Sequence, residues 1–89
     1  MKKGKTKSGF EFQIEDSNLD NMELLDALAE IDGGNVAALP RASALLLGNE
    51  QKKSLYNHLR SEKGNVPMES FMDEITEIMK IIGEDGKNS

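Results

Sequence analysis

The chain is 89 residues long, carries a formal charge of −5 and contains no cysteine. At this length ~60% of the unfolded surface is buried on folding, enough for one modest core and a single domain. The absence of cysteine excludes disulfides and thiolate metal sites, and a single histidine leaves a conventional zinc site short of ligands.

In chain order, Met1 to Ser8 reads as a flexible basic arm or an edge strand, with four lysines and no acid in residues 1–10. Phe10, Phe12 and Ile14 then alternate with Glu11, Gln13 and Glu15, the period of a half-buried strand. Ser8-Gly9 offers a turn, with Lys5-Thr6-Lys7 as the returning edge of a hairpin. The first helix is expected from Asp20, where Asp20-Asn21-Met22-Glu23 resembles a capping box, to Gly33-Gly34. Its inward face is read as Leu24, Leu25, Leu28 and Ile31, and its outward face as Glu23, Asp26 and Glu30. Residues 11–34 hold eight acids and no base, so this helix is the most acidic stretch of the chain.

Pro40 suits the first position of a second helix, 40–47, closed by Gly48. Asn49 then caps a third, 50–62, with Leu55, Tyr56 and Leu59 inward and Lys53, Asn57 and Arg60 outward. Pro67 opens a fourth that is expected to stop at Gly83. Met68, Phe71, Met72, Ile75, Ile78, Met79 and Ile82 share a stripe of ~120° on it, whereas Ile81 falls outside. Residues 84–89 read as a disordered polar tail. The expected fold is therefore mainly α: a compact four-helix domain over residues 9–83, with a short N-terminal β-strand or hairpin.

The longest apolar run, Ala44-Leu45-Leu46-Leu47, is far short of a membrane span, and no signal-peptide pattern opens the chain. These features predict a soluble protein of a reducing cytoplasm. The acidic total argues against a broad grip on phosphate backbones, so neither nucleic acid nor membrane is expected as a partner.

Calcium binding, histidine catalysis, DNA reading and a methionine groove each compete with ordinary packing. Aligning Gly64 with the glycine of a calcium loop puts Leu59, Ser61, Lys63 and Ser70 at ligand positions, and leucine and lysine supply no oxygen. His58 has Ser54, Ser61 and Glu62 at helical spacing, but side chains of one helix do not converge as a triad requires. Pro40 to Glu62 has the outline of a helix-turn-helix, with Lys53, Asn57 and Arg60 on the second helix. The acidic blocks on either side speak against it. Met68, Met72 and Met79 suit an adaptable groove, although a chain this small is expected to spend that stripe on its core.

The ordered run of short segments is more specific than any of these. Gly9-Phe10-Glu11-Phe12-Gln13-Ile14 is followed by Met22-Glu23-Leu24-Leu25-Asp26-Ala27-Leu28-Ala29-Glu30, Ala38-Leu39-Pro40-Arg41 and Leu45-Leu46-Leu47-Gly48. Then come Gln51-Lys52-Lys53-Ser54-Leu55-Tyr56, His58-Leu59-Arg60, Gly64-Asn65-Val66-Pro67 and the terminal Gly86-Lys87-Asn88-Ser89. Over about residues 9–89, this order resembles the small tail assembly chaperones of long-tailed, siphovirus-type phages and prophages. The resemblance implies a non-enzymatic protein without cofactor, working in the bacterial host cytoplasm during virion morphogenesis and not retained in the mature virion. It further implies that the protein binds the tape-measure protein, keeps it soluble and helps recruit tail-tube subunits, with self-association a way for several copies to cover a long client. Many such proteins have a second product made by a −1 frameshift, and Gly86-Lys87-Asn88 can be encoded with a slippery heptamer. On physical grounds client contact is assigned to Ile81 for its apolar surface and to Glu23, Asp26 and Glu30 for charge. The alternative function is a small helix-turn-helix DNA-binding regulator.

Overall fold

Alternating large apolar side chains after Gly9 make a strand, and a strand of this length is stable only with a partner and a helical backing. A computed structural model describes residues 1–87, with side chains as far as residue 83. Strand β2 (Glu11–Ile14) pairs antiparallel with β1 (Lys2–Lys5), placing Gly4 opposite Phe12 and Lys5 opposite Glu11. The N-terminal segment is thus an edge strand. The pairing lies nearer the terminus than Lys5-Thr6-Lys7, because Thr6 and Lys7 are drawn into the connection. Thr6 is buried; its hydroxyl accepts from the Phe10 amide at 3.2 Å, and the Gly9 amide closes onto the Thr6 carbonyl at 3.0 Å. Gly9 sits at φ +96°, a turn geometry that a side chain would strain.

A single helical turn, α1 (Asp16–Leu19), follows the hairpin and is absent from the sequence reading. It moves the start of the next helix, because Asp20 closes α1 and Asn21 becomes the cap of α2 (Met22–Asp32), accepting from the Glu23 amide at 3.0 Å. The inward face of α2 also differs from expectation. Leu24 and Ala27 are buried, Leu28 and Ile31 are half-buried, and Leu25 is 56% exposed. At 100° per residue Leu24, Ala27, Leu28 and Ile31 fall within an arc of ~100°, and Leu25 lies ~60° beyond it.

A 3₁₀ turn (Val36–Ala38) leads into α3 (Leu39–Leu47), which touches α2, α4 and β2 and buries Ala42, Ser43, Leu46 and Leu47. Gly48, at φ +83°, turns the chain into α4 (Asn49–Leu59). Asn49 belongs to the helix and makes no side-chain cap; the helix also ends before the expected 62. There the Arg60 backbone is extended, and its guanidinium donates to the Gly64 carbonyl at 2.7 Å and to Asn57 Oδ1 at 3.2 Å.

Helix α5 (Met68–Lys87) is the longest element and continues past Gly83. Left-handed φ values occur at Gly9, Gly34, Gly48 and Gly64 but not at Gly83, so no glycine cap stops the helix there. The expected polar tail is consequently helical backbone as far as Lys87, and residues 88–89, where the frameshift codons would end, lie outside the described residues. The stripe of α5 meets the interior through Phe71, Ile75, Ile78 and Ile82, while Met72 and Met79 are half-buried and Met68 stands 82% exposed. With Ile14, Leu46 and Leu55, these side chains join hairpin and helices in one hydrophobic cluster. The fold is mainly α with a two-stranded N-terminal hairpin.

Candidate functional site

The acids assigned to client contact lie along the outer side of α2. Glu23, Asp26 and Glu30 are exposed, as their spacing requires, yet they are not equivalent. Glu30 forms an ion pair with Arg41 at the start of α3, while Glu23 and Asp26 have no ion-pair partner among the described residues. Beside them, Met22 is 67% and Leu25 56% exposed. Ile81 is elsewhere and is not a free apolar contact. It is half-buried against the core cluster on α5, beneath β1, where a side chain at Gly4 would come within 3.1 Å of its Cγ2. The four residues do not form one surface, because α2 packs on α3 and the 3₁₀ turn whereas α5 packs on β1.

His58 is exposed, a surface histidine and not part of a triad along its own helix. Its Nε2 lies 3.0 Å from Ser8 Oγ, and its ring lies 5.7 Å from that of Phe10. Ser8 Oγ in turn donates to Glu74 Oε1 at 2.9 Å, and Thr6 Oγ1 donates to the same oxygen at 2.8 Å. A catalytic triad places the imidazole between hydroxyl and carboxylate. Here the hydroxyl stands between the other two, so its proton is held by Glu74 and the imidazole has none to take. Glu74 is only 7% exposed, and Glu77 beside it accepts from the Lys7 amide at 2.8 Å. These bonds tie the hairpin connection to α4 and α5.

A further feature takes two methionines, Met68 and Met72, that the sequence alone assigns to the core in preference to a groove. Where the 3₁₀ turn, α3, α4 and the start of α5 meet, an open groove of about 660 Å³ is lined by Val36, Leu39, Tyr56, Val66, Met68 and Met72, among others. Tyr56 and Phe71 meet edge to face at its base, with ring centroids 5.1 Å apart. Val36 is 55% exposed on one lip, and Met68 lies on the other. The Tyr56 ring also borders a shallow depression lined by Asn49, Lys52 and Lys53, and Lys52 Nζ sits 5.5 Å from the ring centroid. The floor is thus apolar and runs out onto a basic shelf. The signal in the sequence is that the connections on both sides of the second and third helices, Val36-Ala37-Ala38 and Val66-Pro67-Met68, are apolar where loops are ordinarily polar.

The described residues contain no group of three or more acids or histidines placed to hold a metal ion. No described helix is long and apolar enough to cross a membrane. No protein-family model, curated protein or solved structure matches this chain.

Proposed function

We propose that this protein is a phage tail assembly chaperone: a non-catalytic, cofactor-free protein that holds the tape-measure protein soluble and helps recruit tail-tube subunits. On this reading it acts in the host cytoplasm and leaves before the virion matures. The reading rests on the segment-by-segment resemblance of its sequence, and one structural observation carries it further. The open apolar groove at the junction of the 3₁₀ turn, α3, α4 and α5 exposes Met68 and Val36 although the interior is already filled by other side chains. A small protein gains nothing in its own stability from an exposed methionine, whereas an aggregation-prone amphipathic client gains a cover.

Co-expression with the long coiled-coil-like protein encoded downstream tests the proposal. The client becomes soluble and co-purifies only in the presence of this chain. A client equally soluble without it removes the chaperone reading. In its place comes the helix-turn-helix alternative, favoured by the glycine turn between α3 and α4 and the exposed Lys53 and Asn57. Strongly salt-dependent binding to duplex DNA, weakened by Lys53→Ala, is the mark of that alternative.

A further inference from the structure

From the groove and its basic shelf we infer that the docking site accepts an amphipathic α-helix of a partner protein whose apolar stripe is edged with Asp or Glu. The inference rests on the chaperone reading and names the chemistry of the client segment. Three observations carry it. The walls are the 3₁₀ turn with the start of α3 and the start of α5, Tyr56 of α4 lies between them, and no strand residue lines the groove, so an apolar helix ridge is received side chain by side chain instead of by strand addition. Val36 and Met68 are exposed and Met72 is half-buried, so the groove offers apolar contacts, two of them flexible thioethers, to an apolar helix stripe. Tyr56 lines both the groove and the depression that holds Lys52 and Lys53, so a helix seated against Tyr56 has two cations at one edge. Glu69 lines the other wall and disfavours acids on the opposite edge.

This preference is opposite to the one that the acids of α2 would give. Two loci on one small protein therefore make opposed predictions about client charge, and of these two the groove decides because it is concave and apolar. A second copy of the chain is the competing occupant, and dilution of the protein alone distinguishes it.

The test uses the full chain and two synthetic helical peptides with the same leucine stripe, one edged with Glu and the other with Lys along the same side. Affinity is read by fluorescence anisotropy, and the site by methyl NMR of Val36, Met68 and Met72. The Glu-edged peptide binds about fivefold tighter at low salt, as two exposed charge pairs allow, and shifts the groove methyls. Lys52→Glu with Lys53→Glu reverses the preference, and Met68→Asp weakens both peptides by about tenfold or more. Met68 is exposed enough for that variant to keep its fold, and circular dichroism checks it. Preference for the Lys-edged peptide, shifts at Met22 and Leu25 in place of the groove, or no binding of either peptide overturns the inference. So does movement of the groove methyls on diluting the protein alone, which would seat a second copy there. A groove that binds the Glu-edged peptide while client solubility is indifferent removes the chaperone reading and leaves the site standing.

Discussion

Gly4 shows how a single missing side chain fixes the hairpin onto the helices. It pairs with Phe12 across the two strands, and a Cβ there would fall 2.6 Å from Phe12 Cζ and 3.1 Å from Ile81 Cγ2. The Phe12 ring occupies the space a residue at position 4 would need, and Phe12 is only 3% exposed. Gly4→Val therefore has to displace a core ring. We expect a loss of about 2 kcal/mol, read as a fall in thermal midpoint of about 8–16 °C for a domain of this size. An unchanged midpoint would show that β1 is not seated on α5. The same contact explains why Ile81, assigned from the helical stripe to solvent, serves packing: a wheel drawn for one helix contains no information about a strand laid across it from the other end of the chain. The Ser8–His58–Glu74 contacts were hidden for the same reason, since each joins residues about 50 or more positions apart.

At the scale of the element, the periodicity of the chain located the four long helices and the strand of Phe12 and Ile14, because apolar spacing and glycine or proline at the ends are local signals. What it could not locate were features set by neighbours. Helix α4 ends where Arg60 turns to the Gly64 carbonyl, and α5 passes Gly83 because that glycine takes no left-handed turn. The breadth of the buried face of α2 is also a neighbour's decision. Leu24 and Leu25 are adjacent and read alike in sequence, yet one is 3% and the other 56% exposed. Leu24→Ala is expected to cost about 3 kcal/mol, and Leu25→Ala less than about 0.5 kcal/mol. Urea unfolding of the two variants checks this. Equal losses would mean that both leucines are packed and that α2 is rotated from its observed seat.

At the scale of the molecule, charge and apolar exposure are distributed over different elements. Residues 1–10 and the middle of the chain are basic, while α2 and α5 are acidic. The apolar opening is lined by the 3₁₀ turn and the starts of α3 and α5, and none of the α2 acids lines it. The sequence made the acidic helix conspicuous and assigned the methionines of α5 to the core, because charge is visible residue by residue whereas concavity exists only after α3, α4 and α5 are assembled. Under the proposed function the two regions do different work. A buried apolar contact sets how long a client stays, whereas exposed charges mainly set how fast it arrives. Met68→Asp should therefore raise the client's dissociation rate by about tenfold or more. The triple reversal of Glu23, Asp26 and Glu30 to lysine should change the association rate and its salt dependence, with dissociation altered by about threefold or less. Glu30 also loses its bond to Arg41 in that variant, so its thermal midpoint must be compared with that of Glu23→Lys with Asp26→Lys. Ile81→Asp does not belong to this comparison, since it undermines the seat of the hairpin and would weaken any binding surface indirectly. Surface plasmon resonance on the purified client separates the two rates. Should the triple reversal accelerate dissociation while Met68→Asp leaves it alone, α2 holds the client and the groove serves something else.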